Sequence, residues 1–191
     1  QSEVWAFEPV DQPRDYLQKS IIANGLNNLK IAALALSSFS GSADMYSGAN
    51  TEMSTLNQSL AQEDLQKKSV PVTTLDEFCS EHFLEGVDFI KIDAEGEEEN
   101  VIRGGEKLFR ISSPLVMFEI GVEERYLAVI KILQNQSYEI YRHVPGLNCL
   151  APVDPGEDLD SFQLNLFACK QDRAQWLIEK NLLTPKISDR D

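Results

Sequence analysis

The sequence predicts an α/β fold, because short apolar runs of strand length alternate with helical patterns and the runs are continuously apolar. Such runs are typical of parallel strands that helices cover on both faces. The chain has 191 residues, of which 42% are hydrophobic, and this is enough for one domain with a sizeable core. Since no repeat and no second domain are visible, we expect a single domain over residues 1–191.

The first predicted element is the strand Val4–Phe7. Asp11 is expected to cap the helix that follows, and Gly25 to end it. Residues 31–36 are predicted to form the next strand. The polar stretch 37–68 then predicts a long loop or a hairpin inserted over the site, since loops of this length are uncommon unless they are functional or disordered.

The clearest strand pattern in the chain is Val87–Asp93. A helix is predicted after it, through Val101 to Phe109. Gly104 and Gly105 each weaken that helix by about 1 kcal/mol relative to Ala, so we expect close packing there. The remaining predicted elements are a strand at 115–120, a helix at 123–136, strands at 138–143 and 164–170, and a terminal helix from 172 to about 183.

Charge and cysteine content exclude several classes of protein. The chain carries 31 acidic and 17 basic residues, for a formal net charge of -14, which would repel nucleic acid. No apolar run reaches the roughly 20 residues that a bilayer span needs, so we expect no membrane partner. Cys79, Cys149 and Cys169 are isolated and form no CxxC pair. They predict reduced thiols in a cytoplasmic protein, without a disulfide framework or a zinc site.

Three predicted strands end in a carboxylate, namely Glu8, Asp93 and Glu119. Ligands of open α/β sheets bind at the carboxyl ends of the strands, so these acids are candidate site residues. A carboxylate such as Glu8 can accept hydrogen bonds from two ribose hydroxyls. The alternative for each single acid is that it caps the next helix or simply faces water.

Around Asp93 the spacing of charges is more specific. Lys91, Asp93 and Glu95 recur at period two, which directs all three to one side if the strand continues, and Lys91 could then pair with a carboxylate. Glu97 to Glu99 are interpreted instead as the solvated acidic start of a helix.

At this point the sequence resembles the FkbM-type methyltransferases. The segment Asp88–Gly96, with its IKID-x-EG core, carries most of the likeness. Further matching positions are Ala6–Pro9, Thr74–Asp76, Glu98, Val101, Gly104, Pro114–Ile120 and Asn165–Ala168. The resemblance implies a Rossmann-like class I fold and transfer of a methyl group from S-adenosylmethionine, usually to a hydroxyl of a sugar or natural product.

The resemblance also implies roles for individual residues. Glu8, with Pro9 beside it, would bind the ribose of the cofactor. Ala35 and Leu36 would lie near the adenine. Asp93 would lie near the methionine end and the reacting centre.

One part of the family pattern has no counterpart in the sequence. The first strand and its glycine-rich loop should precede the strand Val4–Phe7, which begins only three residues after Gln1. In the class I layout the missing strand is central, between the strands that end at Glu8 and Asp93. We therefore expect an N-terminally incomplete domain of low stability and weak cofactor binding.

Methyl transfer to an alcohol oxygen requires that the acceptor lose its proton. Asp93 or Glu119 is the candidate base, and Lys91 completes the catalytic group. Glu95 and His143 are candidates for acceptor binding, although the sequence favours a structural histidine at His143. We expect a metal-free mechanism, with Mg²⁺ held by Asp93, Glu95 and Glu119 as an alternative, since Mg²⁺ prefers oxygen ligands.

Two other classes of function stay open. A catalytically inactive binding or structural module is the main alternative, and a metal-dependent hydrolase is a weaker one. Tyr46, Tyr126 and Tyr141 either line an acceptor pocket or fill the core. The expected partners are a small-molecule or glycan acceptor and, for assembly, a second copy of the chain.

Overall fold

The computed structural model describes residues 2–47, 55–56, 66–120, 123–154 and 164–185. These residues form a mixed α/β structure. Its strands are β1 Val4–Phe7, β2 Leu29–Ala32, β3 Ala35–Leu36, β4 Gly41–Ser47, β5 Gln66–Thr73, β6 Phe89–Ile92, β7 Leu115–Glu119, β8 Glu139–Val144, β9 Cys149–Pro152 and β10 Asn165–Cys169. Its helices are α1 Asp11–Asn24, α2 Leu75–Glu81, α3 Glu98–Arg103, α4 Glu106–Ile111, α5 Glu123–Asn135 and α6 Gln171–Glu179.

The chain divides into two compact units, and each is built from two segments. The first unit comprises Gln1–Phe78 and Ala94–Gly105, and the second comprises Cys79–Asp93 and Glu106–Asp191. The expectation of a single domain over residues 1–191 stays a prediction.

In the first unit, β1 and β2 pair in parallel, and α1 connects them. Gly25 ends α1 in the left-handed conformation, with φ +62°, as the sequence predicts. The capping role predicted for Asp11 is wrong. Val10 occupies the N-cap position without a side-chain cap, because the Asp11 carboxylate is paired with Arg14 and Lys68 instead.

The single strand predicted at 31–36 is also wrong. The chain turns between Ala32 and Ala35, because β2 pairs with β1 while β3 pairs in parallel with β5 in another sheet. The polar insertion contains a hairpin, as expected, since β4 and β5 pair antiparallel from Gly41 opposite Val72 to Ser47 opposite Gln66. Part of the connection between these two strands lies outside the described residues.

The sequence predicts a single helix here, whereas the structure has two, α3 and α4. Gly104 lies between them. A Cβ atom on Gly104 would lie 2.1 Å from the backbone oxygen of Ser37 and 3.3 Å from the Cβ of Thr74. Its own carbonyl accepts a 2.9 Å hydrogen bond from the backbone N–H of Asp76. The close packing that the sequence predicts at this glycine is therefore confirmed.

The second unit is built on a sheet with the strand order β6-β7-β10-β8-β9. Only β6 and β7 pair in parallel within it, and β10 runs antiparallel to both of its neighbours. The predicted parallel pairing is therefore confirmed for β6 and β7 and wrong for β8 and β10, because the hairpin of β8 and β9 reverses the chain before β10. Strand β9 and helix α2 were not predicted from the sequence.

The middle of this sheet is fully buried. Val116 and Phe118 on β7, and Leu166 and Ala168 on β10, are 0% exposed. All three cysteines are free and buried, as expected for thiols that fill the core. Burial raises the pKa of the Cys169 thiol to about 12, so this thiol stays protonated at neutral pH. Among the described residues, no helix combines the length and the apolar character needed to cross a bilayer.

The packing at Gly104 can be tested by Gly104→Ala. The new methyl group would collide with the backbone of Ser37, which cannot rotate away as a side chain can. We expect the free energy of unfolding, measured by urea denaturation, to fall by about 1–3 kcal/mol. Gly86→Ala is the matched control, since nothing lies within 4 Å of a Cβ there, and a similar loss in that variant would contradict the account.

Candidate functional site

The second unit brings together two of the three predicted strand-end acids. β6 and β7 pair in parallel with Ile92 opposite Phe118, so Asp93 and Glu119 leave the same edge of the sheet on neighbouring strands. A carboxylate oxygen of Asp93 lies within 4.8 Å of one of Glu119. The two acids therefore form a close pair of carboxyl groups at the sheet edge.

Lys91 pairs with Asp93, as the sequence predicts. Its Nζ lies 2.6 Å from an Asp93 carboxylate oxygen, and both side chains are about half exposed. This hydrogen bond is the largest cause of an Asp93 pKa below its usual value, followed by desolvation, which acts in the opposite direction. Asp93 is therefore ionised at neutral pH and able to accept a proton, although its basicity is reduced.

The regular alternation of side chains stops at Asp93. Strand β6 ends at Ile92, and Glu95 has φ +47° in the turn that follows. The period-two argument therefore does not extend to Glu95. Glu95 belongs to the first unit, whereas Asp93 and Glu119 belong to the second, and the alternative of a divalent cation held by all three acids stays a prediction.

The other candidates in the second unit differ in exposure. His143 is exposed near the end of β8. Strand β8 is two strands away from β7 in the same sheet, where neighbouring strands lie roughly 5 Å apart. Tyr141 is 3% exposed and packs among Leu150, Cys169 and Leu177, and burial raises the pKa of its hydroxyl. The core interpretation therefore holds for Tyr141, while an acceptor-binding role for His143 stays a prediction.

In the first unit, Glu8 directly follows β1 and is half-buried. Its Oε1 accepts a 2.8 Å hydrogen bond from the backbone N–H of Val10. Its Oε2 takes no hydrogen bond from the described residues. Burial raises the pKa of Glu8, against the opposing effects of the Val10 hydrogen bond and the charge of Arg14. The fold thus holds a carboxylate where its charge is disfavoured, which is common at functional sites.

The residues predicted to lie near the cofactor are close to Glu8 in the fold. Ala35 is buried in a cluster with Met45, Val70 and Val72, and Val10 packs against that cluster directly after Glu8 and Pro9. Leu36 is half-buried. The side chain of Ala35 is thus part of the core, and its predicted role near the adenine stays a prediction, as do those of Leu36 and Pro9.

The sequence interprets Glu97, Glu98 and Glu99 as the solvated start of a helix, but only one of the three has such surroundings in the structure. Glu97 accepts hydrogen bonds from Ser37 Oγ at 2.8 Å and from Asn100 Nδ2 at 3.0 Å, and Ser37 is 1% exposed. Glu98 binds backbone amides of the preceding turn. Only Glu99, which pairs with Arg103 on the surface, fits the solvated interpretation.

Thr55, which lies in the insertion between β4 and β5, was not predicted as a site residue. It is 5% exposed, and its hydroxyl donates to the backbone oxygen of Glu95 at 2.7 Å. No periodic pattern surrounds this threonine, so only its partner in space reveals it.

Comparison with known proteins places this architecture in a family. The sequence matches the profile of the methyltransferase FkbM domain over residues 1–140. Since the match covers well over half of the chain, the chain belongs to the FkbM methyltransferase family, as the resemblance indicated. No curated protein matches the sequence.

Among solved structures, the chain is similar to the crystal structure of methyltransferase FkbM from Methylobacillus flagellatus KT. Sequence identity is 15% and the TM-score is 0.54, and the match covers 87% of this chain and 36% of that one. At this identity the likeness supports the mixed α/β fold alone. The chain spans 36% of the length of that structure.

The two interpretations of Glu8, ligand-binding carboxylate or structural cap, predict opposite effects of Glu8→Gln on stability. Burial raises the pKa in the folded state above the ordinary value of 4.5, so the folded state binds the proton more tightly than the unfolded state. Stability is therefore lost as pH rises through the folded-state pKa. We expect Glu8→Gln to be more stable than the wild type at pH 7, with a smaller difference below pH 4.5.

Urea midpoints of both proteins across this pH range measure the effect, with Glu3→Gln as an exposed control. A variant that is less stable than the wild type at pH 7 would show that Glu8 acts chiefly as a cap of the turn before α1.

Proposed function

We propose that the chain takes part in S-adenosylmethionine-dependent O-methylation of a hydroxyl group on a sugar or another small molecule. Membership of the FkbM family supports methyl transfer. The observation that carries the cofactor assignment is Glu8, a half-buried carboxylate at the end of a parallel strand. Under this proposal the fold is of the Rossmann-like class I type.

The surroundings of Glu8 fit a ribose. Each carboxylate oxygen can accept two hydrogen bonds, and Val10 uses only part of this capacity. A ribose offers two neighbouring hydroxyl donors, and a strand-end carboxylate of this kind binds them in dinucleotide folds. Ribose hydroxyls would also compensate for the desolvation that raises the pKa of Glu8.

When bound, S-adenosylmethionine supplies a methyl group attached to a sulfonium. Asp93 would accept the proton of the acceptor hydroxyl, and Glu119 is the neighbouring carboxyl group, with an oxygen within 4.8 Å of an Asp93 oxygen. Lys91 holds Asp93 through its 2.6 Å contact. Much of the rate acceleration in such a displacement comes from holding the reactants in line, since orientation contributes roughly 7–11 kcal/mol.

The remaining parts of the proposal concern the surroundings of the reaction. Glu95 and His143 would contact the acceptor, which we take to be a small molecule or a glycan. A cytoplasmic location is supported by the three free, buried cysteines.

The ribose role is tested by Glu8→Ala. Loss of two charge-assisted hydrogen bonds should weaken S-adenosylmethionine binding at least tenfold, which corresponds to about 1.4 kcal/mol. Isothermal titration calorimetry measures the affinity. Glu3→Ala is the matched control, since Glu3 is an exposed acid at the other end of β1. Equal affinity of Glu8→Ala and the wild type would remove the ribose role.

The base is tested by Asp93→Asn, which keeps the shape of the side chain and removes its charge. An exposed ion pair contributes at most about 1 kcal/mol to stability, so we expect a nearly unchanged melting temperature. Turnover, measured as release of S-adenosylhomocysteine with an acceptor that the wild type methylates, should fall roughly 10²- to 10⁴-fold.

Asp88→Asn is the control for that experiment, because Asp88 lies just before β6, at the opposite end of the strand from Asp93, and pairs with Arg173 at the surface. Full activity of Asp93→Asn would exclude Asp93 as the base. An unfolded variant would instead identify Asp93 as a structural residue.

A further inference from the structure

The turn Ala94–Gly96 directly follows Asp93 in the chain and has an unusual backbone. Glu95 has φ +47° and Gly96 has φ +97°. The left-handed region is uncommon for a residue other than glycine, asparagine or aspartate. A glutamate keeps this conformation only where surrounding contacts enforce it, and such contacts are present on two sides of the turn.

Glu98 holds the amide side of the turn. Its Oε1 accepts hydrogen bonds from the backbone N–H groups of Ala94 at 3.1 Å and Gly96 at 3.0 Å, and its Oε2 accepts from Gly96 at 3.1 Å. The backbone N–H of Glu97 closes the turn on the carbonyl of Ala94 at 3.1 Å. Hydrogen bonds to a charged acceptor are about twice as strong as neutral ones, so Glu98 is well suited to fix this turn.

Thr55 holds the carbonyl side. Its hydroxyl donates to the backbone oxygen of Glu95 at 2.7 Å, and Thr55 is 5% exposed. Thr55 is itself held by two backbone hydrogen bonds with Tyr46 on β4, at 2.9 and 3.0 Å. The inserted hairpin is thereby connected to the backbone of Glu95.

We propose that Glu98 and Thr55 are positioning residues that fix the Ala94–Gly96 turn in the conformation required for methyl transfer. The link to methyl transfer rests on the proposed function, in which Asp93, directly before the turn, would lie at the methionine end of the cofactor and Glu95 would contact the acceptor. Glu98 acts through the amides of the turn, and Thr55 makes the orientation of Glu95 depend on the hairpin. The insertion therefore has a specific task in the site.

The experiment compares the full chain with four variants. Glu98→Ala removes the acceptor of both amides, and Glu99→Ala is its control, because Glu99 is the adjacent acid and binds only Arg103 among the described residues. Thr55→Val removes the donor while keeping the shape of the side chain, and Thr55→Ser restores the hydroxyl. Hydrogen exchange of the Ala94 and Gly96 amides is followed by NMR without cofactor, and S-adenosylmethionine binding is followed by calorimetry.

We expect at least fivefold faster exchange of these amides and at least fivefold weaker S-adenosylmethionine binding in Glu98→Ala and Thr55→Val. Thr55→Ser and Glu99→Ala should match the wild type, and melting temperatures should stay within a few degrees of it. A purely structural role would lower the melting temperature and leave the affinity of the folded protein unchanged, which would overturn the proposal. Unchanged exchange in both variants would overturn it as well.

Failure of the proposed function gives a different pattern. If the wild type binds no S-adenosylmethionine, the cofactor assignment fails. The exchange rates still decide whether Glu98 and Thr55 fix the turn, since faster exchange supports the fixing and unchanged exchange refutes it.

Discussion

The parallel pairing of β6 with β7 is the constraint on which the candidate chemistry depends. This register places Ile92 opposite Phe118, and the acids that follow, Asp93 and Glu119, therefore emerge side by side. Val116 and Phe118 on β7 are fully buried, so the strand that ends in Glu119 lies in the core of the sheet. Lys91, one residue before Ile92, keeps Asp93 ionised. A group that removes a proton from an alcohol needs such a defined position more than it needs an extreme pKa.

In the first unit, burial disfavours the charge of the Glu8 carboxylate, whereas in the second unit Lys91 favours the charge of Asp93. Glu8 keeps a charge that its surroundings disfavour, with one backbone hydrogen bond as partial compensation. Sites that bind ligands often retain groups that reduce stability, because the ligand supplies the missing interactions. The turn at Glu95 follows the same principle, since its left-handed backbone is held by Glu98 and Thr55. In both places the unit retains a locally unfavourable feature, with one compensating hydrogen bond at Glu8 and with contacts from Glu98 and Thr55 at the turn.

Much of this structure could be predicted from the sequence, and the failures have physical causes. The strands at Val4–Phe7 and Leu115–Glu119 are continuous apolar runs, and both were predicted. Lys91 and Asp93 are neighbours at strand spacing, so their ion pair was predictable too. The direction of β10 was not, because strand orientation depends on the β8–β9 hairpin, whose second strand carries little periodic signal. Thr55 was missed and Glu98 was interpreted as solvated, because their partners are backbone groups, which leave no trace in the pattern of side chains.

The most direct test of the account is a crystal structure of the chain with S-adenosylmethionine. The account predicts electron density for the cofactor with its ribose hydroxyls within hydrogen-bond distance of the Glu8 carboxylate and its adenine near Leu36. Density for the cofactor elsewhere, with Glu8 bound only to Val10, would contradict the central claim that the strand-end carboxylate of Glu8 binds the cofactor.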